Sequence, residues 1–307
     1  MRSAARIYRF QLALAALGAA TVALALLVFL RALDFSLPAA DTLFAACRSL
    51  LMPDAGPAAL LLLPLAGLGV LSLTRGARSL VRQLRGKRRF LATLDLLRGA
   101  RVDRTPVTIF SSAQPQAFCA GFLRPRIYLS SAAVALPAGH LRAIVAHERH
   151  HLSRRDPLRL LLARTLSEAL FFVPVLRRVS ERYGALAELA ADEAAAREHD
   201  RSTLAAALLS FGEAHNPAVV VGIAPERVDH LLGRPPRWEL PLSLLLGSAV
   251  AIGGLLGAAM AAGALTSTAE LNVPLLLAQS CMLVMLALPL LLAASLLLVR
   301  PPRRRRS

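Results

Sequence analysis

The chain has 307 residues, of which 56% are hydrophobic, and a formal net charge of +17 from 36 Lys and Arg against 19 Asp and Glu. The apolar excess lies in Ala and Leu blocks at the two ends, which excludes an ordinary soluble domain of even composition. The three cysteines, Cys47, Cys119 and Cys281, are far apart and lack C-x-x-C spacing, which excludes a disulfide framework and a cysteine zinc site.

In chain order, the first predicted element is the apolar run Phe10 to Leu30, long enough to cross a hydrocarbon core of about 30 Å. Three arginines precede it, but it is too long for a signal-peptide core and no A-x-A site follows, so it reads as a retained span. A second span covers Ala58 to Leu73, with Pro64, Gly67 and Gly69 inside it. Ser79 to Arg98 has a charged helical pattern. Three strands follow, Val107 to Phe110, Ala117 to Phe122 and Arg126 to Ser130, with turn signals at Gln114-Pro115 and Arg124-Pro125.

From there the chain turns helical. Ser130 and Ser131 are caps for a short helix at 132–136, and Pro137-Ala138-Gly139 opens a longer one that Asp156-Pro157 closes. Leu158 to Leu176 is apolar but carries Arg159, Arg164 and Glu168, which are costly at mid-membrane depth, so a helix lying on the membrane or packed on the spans suits it. Ser180 to Glu198 reads as a helix rich in Ala and Glu. The third and fourth spans are Leu240 to Leu265 and Val273 to Val299, and Arg303 to Arg306 end the chain as a lipid-contact anchor.

Basic residues gather before the first span, in 74–104 and in the tail, whereas 31–57 and 266–272 are poor in them. The positive-inside bias then places both termini and the middle of the chain in the cytoplasm of a multi-pass inner (plasma) membrane protein. The reading divides the chain into a membrane region at 1–73, a cytoplasmic domain at 74–238 and a second membrane region at 239–307. The fold class is an α-helical membrane protein with an α+β domain, about four transmembrane helices and one membrane-associated helix. The positive charge is accounted for by topology, and no direct nucleic-acid binding is expected.

His147 and His151 are four residues apart, which on a helix places both imidazoles on one face where they can grip one metal ion. Glu148 stands between them, the residue type that takes a proton from an attacking water and passes it to the leaving amine. Zinc at such a site lowers the pKa of a water towards about 7 and polarises the scissile carbonyl. The largely apolar run Leu141-Arg142-Ala143-Ile144-Val145-Ala146 leads into the motif and implies a buried helix, where His and Glu need partners. A catalytic zinc takes three protein ligands, and the third is sought on another helix. Glu188 and Asp192, also four apart, fit as ligand and as orienter of a ligand histidine; Glu193 is the rival ligand.

Three segments carry a family resemblance: Gly121-Phe122-Leu123-Arg124-Pro125-Arg126-Ile127-Tyr128-Leu129-Ser130, Ala146-His147-Glu148-Arg149-His150-His151 with its continuation to Pro157, and Glu188-Leu189-Ala190-Ala191-Asp192. Together they resemble the M56 membrane metallopeptidases, the family of the BlaR and MecR antibiotic-sensing transducers, over about residues 80–235. The H-E-x-x-H and E-x-x-x-D pair is shared with the related M48 group of HtpX and Ste24 type. The resemblance implies a gluzincin-like fold and a zinc endopeptidase acting on cytoplasmic or membrane proteins. It matches His147, His151 and Glu188 to the ligands of one Zn2+ and Glu148 to the catalytic glutamate. Arg227, in Glu226-Arg227-Val228-Asp229-His230-Leu231-Leu232, resembles a late segment of both groups and is a candidate substrate or oxyanion contact, with a surface role as its plain rival. Nothing after Val299 matches a penicillin-binding sensor, so β-lactam recognition by this chain is not expected. Regulated proteolysis of a cytoplasmic transcriptional repressor, M48-like quality control of membrane proteins, and a non-catalytic receptor or scaffold are the functional alternatives.

Overall fold

The computed structural model describes residues 2–39, 41–42, 57–212, 227, 240–265 and 271–274. Among these the chain is mostly helical, with a small four-stranded mixed sheet and a two-stranded parallel pair. Contacts divide it into two units, Met1–Ala19 with Val70–Ile252, and Ala20–Gly69 with Gly253–Ser307.

Three long helices carry the apolar blocks. Helix α1 is Arg2–Arg31, α2 is Pro57–Ala92, and α8 is Leu242–Leu265. Two described helices are long and apolar enough to cross a membrane, Ala4–Arg31 and Leu242–Leu265. The second predicted span lies in the first half of α2, but the helix does not stop at Leu73. It runs on through the arginine-rich stretch to Ala92, because Arg, Lys, Leu and Gln are all good helix formers. The fourth predicted span lies, from residue 275 on, outside the described residues.

In the second unit, Gly69 lets α2 approach α1 closely: a Cβ there would stand 2.6 Å from a methyl of Leu26. Strand β1 (Leu33–Asp34) pairs in parallel with β6 (Leu271–Asn272), and Asn272 donates to the Asp34 carboxylate and the Ser36 carbonyl.

The first unit holds the sheet. Its strands are β2 (Leu96–Val102), β3 (Thr105–Phe110), β4 (Ala117–Ala120) and β5 (Arg126–Ser130), in the order β2-β3-β5-β4, with β3 and β5 parallel and the other pairs antiparallel. The strand β2 corrects the sequence reading, which carried a helix through Arg98. A two-residue turn at Asp103 and Arg104, both with positive φ (43° and 64°), folds β2 back on β3. Turns of that kind match the twist of paired strands, and pairing overrides the helical leaning of Leu96, Leu97 and Arg98. Between β4 and β5 the chain turns at Gly121, φ 116°, where a Cβ would fall 2.4 Å from the Arg124 carbonyl oxygen.

Five helices complete the unit: α3 (Ser131–Val134), α4 (Ala138–Arg154), α5 (Asp156–Ala169), α6 (Val175–His199) and α7 (Arg201–Gly212). Ser130 caps α3 by accepting from the Ala133 amide, as its position before an Ala run predicts. Helix α6 starts five residues earlier than predicted, and α7 has no counterpart in the sequence reading. The stretch 158–176 is not one helix. It is split between α5 and the start of α6, and α5, with 14 residues, measures about 21 Å, short of a hydrocarbon core.

Helix α4 is the centre of this unit. Val145 packs against Val107, Ile127 and Leu129 of the sheet. Ala143, Ile144 and Ala146 pack against Ala195 of α6 and Leu204, Ala207 and Leu208 of α7. With apolar partners on both sides, the rotation of α4 about its axis is fixed.

Candidate metal centre

That fixed rotation turns the remaining face of α4 towards α6 and brings the two predicted histidines together inside the protein. Both are buried. Their Nε2 atoms face each other at 3.2 Å. Glu188 reaches across from α6 so that one carboxylate oxygen lies 3.5 Å from His147 Nε2 and the other 3.5 Å from His151 Nε2. One ligand atom from each of the three residues falls within 4.8 Å of the others.

These separations can be tested against a metal. Two ligands about 2.0–2.1 Å from a tetrahedral ion stand roughly 3.3 Å apart, close to the 3.2 Å and 3.5 Å found here. The electrostatics agree. Two buried ring nitrogens point at one another and at a carboxylate, which requires a positive charge between them. With protons alone, burial disfavours the imidazolium of His147, but the adjacent carboxylates of Asp192 and Glu188 outweigh it and raise its pKa to about 10. Glu188 is likewise opposed by burial, yet the same histidines and Arg227 hold it down at about 2. A divalent cation supplies that charge without a proton. The donor set fits a zinc-type ion.

The outer ring nitrogens are held by acids. Asp192, with no exposed surface, places Oδ1 2.9 Å from His147 Nδ1. The contact is short but oblique: the Nδ1–H direction does not point at the oxygen. On the other ring, His151 Nδ1 is aligned with Asp156 Oδ2 at 2.9 Å. Asp156 had been legible only as a helix boundary. Its role depends on Arg155, whose left-handed backbone (φ 53°, ψ 40°) ends α4 and starts α5 in a single residue. That turn swings the side chain five positions after His151 back onto its ring. Tyr183 of α6 donates its hydroxyl to the other Asp156 oxygen at 2.9 Å. Spacing assigns neither Asp156 nor Tyr183 a role at the site, although Asp156 lies within the second family-like segment.

Glu148 is buried beside the two ligands. Burial raises its carboxyl pKa above the usual carboxylate range, against the lowering pull of His147 and His151. The Cys119 backbone amide of β4 lies near its carboxylate and also pulls the pKa down. The free edge of β4 therefore looks onto the site, since β4 pairs only with β5 among the described residues.

Arg227 is drawn inward. Its Nε donates to Asp192 Oδ2 at 2.8 Å and one terminal nitrogen to Asp192 Oδ1 at 2.7 Å, while the other lies 3.5 Å from Glu188. Its side chain is 18% exposed, so it is not the surface arginine that was the plain reading, and its donors are turned to the acids of α6. Glu193, the rival ligand, points elsewhere and pairs with Arg197 and Arg201.

The chain matches the family model described as BlaR1 peptidase M56 over residues 58–231, more than half of its length. No curated protein and no solved structure matches it.

Proposed function

The chain belongs to the M56 peptidase family, and on that premise we propose that it is an integral-membrane zinc endopeptidase with a gluzincin-like site. One observation carries the reading: His147, His151 and Glu188 converge on one point with Glu148 buried beside it. His147, His151 and Glu188 would hold the ion. When bound, zinc polarises a carbonyl and lowers the pKa of a nearby water towards about 7.

The chain's own groups do the rest. Asp156, an aligned acceptor, keeps the His151 proton on Nδ1, and the Asp192 carboxylate 2.9 Å from His147 Nδ1 favours the same tautomer there, which leaves both Nε2 lone pairs free for the ion. Glu148, with a pKa raised by burial, receives a proton from the attacking water and returns it to the leaving nitrogen. The exposed edge of β4 offers backbone groups to an extended substrate chain, which this kind of recognition needs and which leaves sequence preference to neighbouring side chains. Arg227 holds the ligand carboxylate and its neighbour in place, rather than meeting the substrate directly.

Four spans with both termini inside, at Phe10 to Leu30, Ala58 to Leu73, Leu240 to Leu265 and Val273 to Val299, satisfy the charge bias and put this site at the cytoplasmic face of the plasma membrane. Substrates would then be cytoplasmic or membrane proteins, a transcriptional repressor among them, in regulated proteolysis.

The test is Glu148→Gln in the full-length protein, with comparative proteomics of cells carrying either form. The variant should retain zinc stoichiometry and lose cleavage by about 10²–10⁴-fold. Cleavage at the wild-type rate by the variant would end the catalytic reading, and identical proteomes from the two strains would favour a non-catalytic scaffold.

A further inference from the structure

The contacts that hold His151 extend past Asp156 to the beginning of the chain. Asp156 has two carboxylate oxygens, and both are used: one meets His151 Nδ1 and the other accepts from Tyr183, each at 2.9 Å. Tyr183 is 1% exposed. A hydroxyl has one proton to give and an ionised carboxylate only accepts, so that proton is directed at Asp156.

What seats Tyr183 is helix α1. The rings of Tyr8 and Tyr183 lie 4.9 Å apart, tilted by 37°. Ala4 of α1 forms one buried cluster with Tyr183, Leu186 and Leu189 of α6, with Ile7 and Tyr8 packed against it. The Arg159 guanidinium stands over the Tyr8 ring, 5.3 Å from its centre. One helical turn on, the buried Gln11 side chain donates to the Ala163 carbonyl of α5 at 3.0 Å. The first three turns of α1 are therefore docked on the back of the two helices that carry Asp156, Tyr183 and Glu188.

We propose that the inner end of α1 is a positioning element of the metal centre: Tyr8 seats Tyr183, the Tyr183 hydroxyl holds Asp156, and Asp156 fixes the ring of His151. Tyr8 and Tyr183 are positioning residues, neither in reach of a substrate. The inference rests on the metallopeptidase reading and adds to it a route of control. Since α1 is also one of the two described helices able to cross a membrane, a shift of that helix relaxes Tyr183, frees one oxygen of a buried carboxylate to rotate, and loosens the grip on a ligand ring.

Metal binding by the full-length, detergent-purified apoprotein separates this from simple packing. Cobalt(II) serves as the probe, since its visible absorption reports ligand geometry, and zinc competes it off. The wild type should bind one ion. Tyr183→Phe, which keeps the ring and removes the donor, should weaken binding about 10-fold or more and change the cobalt bands. Tyr8→Ala should change the same bands in the same direction, Tyr8→Phe should restore them, and Tyr8→Ala should add less than twofold to Tyr183→Phe. Wild-type cobalt affinity and bands in Tyr183→Phe would overturn the proposal. So would a Tyr8→Ala protein with a lowered melting temperature and unaltered bands. A wild type that binds neither metal would overturn the metallopeptidase reading and this inference together.

Discussion

Asp192→Asn is the sharpest test of the centre, because the acid serves two partners and the amide can serve only one of them fully. Asp192 Oδ1 faces His147 Nδ1 at 2.9 Å and a terminal nitrogen of Arg227 at 2.7 Å, and Oδ2 accepts from Arg227 Nε at 2.8 Å. If the asparagine oxygen takes the Oδ1 position, its NH2 confronts the Arg227 N–H, donor against donor. That leaves a buried group unsatisfied at about 1–3 kcal/mol. If it flips, the NH2 faces His147 Nδ1, which must then accept. The ring proton moves to Nε2, the nitrogen that meets His151 and Glu188, and the ion's place on that ring is blocked. Either way the support of the ligand is damaged, and losses of outer partners of this kind lower metal affinity about 10–100-fold. The assay is competition for zinc between the apoprotein and a chromophoric chelator at neutral pH, with a chemical denaturation curve alongside. A variant that holds zinc within twofold of wild type, at unchanged stability, would refute the role given to Asp192.

The acid–base state of the site gives a second prediction. His147 in the apoprotein stays protonated up to about pH 10, so zinc must displace a proton. Apparent zinc affinity should rise about tenfold per pH unit between roughly pH 7 and 8, and a flat profile in that range would contradict the assignment. Without metal, the raised His147 stabilises the fold fully below its ordinary value near 6.5 and loses that contribution as pH rises towards about 10; the depressed Glu188 contributes above its ordinary value near 4.5 and loses it towards about 2. The melting temperature of the apoprotein should therefore peak near pH 5–6. Cys119, its thiol pushed up to about 12 chiefly by burial and by Glu148, should alkylate orders of magnitude more slowly at pH 8 than a free thiol, followed by peptide mass spectrometry; labelling at the free-thiol rate would contradict the packing of β4 on Glu148. Gly121→Ala should cost about 2 kcal/mol or more, since the backbone is at φ 116° and the new methyl would meet the Arg124 carbonyl; an unchanged denaturation midpoint would contradict the tight β4–β5 turn.

The parts of the site visible in the sequence are those fixed by helical periodicity. His147 and His151, and Glu188 and Asp192, each sit four apart, and a helix turns such pairs to one side whatever surrounds it. The apolar residues 143–146 announced that α4 is buried, and the packing of Val145 on the sheet and Ile144 on α6 and α7 follows from the same pattern. What could not be read depends on single backbone turns or on distant contacts. The strand β2 exists because Asp103 and Arg104 adopt positive φ, which neither residue's identity announces. Asp156 orients His151 because Arg155 is left-handed, whereas Asp-Pro alone marks only a helix boundary. The fold of Arg227 onto Asp192 joins positions 35 apart, and Tyr8 meets Tyr183 across most of the chain.

These hidden contacts share a physical origin. A buried carboxylate is costly unless its oxygens are occupied, and four acids surround the two rings: Glu148, Asp156 and Asp192, which are buried, and Glu188, which is 41% exposed. Donors come from separate elements: Tyr183 of α6 for Asp156, and Arg227 for Glu188 and Asp192, while the Cys119 amide of the sheet lies near Glu148. Together these contacts tie the sheet edge, α6 and Arg227 to the same cluster of acids. A shift in any one of them leaves an acid uncompensated, and the metal centre is the point at which that imbalance is felt. The docking of α1 on Tyr183 makes a membrane-length helix one of the elements in that balance, which is why its displacement, and not only substitution of a ligand, should change how the ion is held.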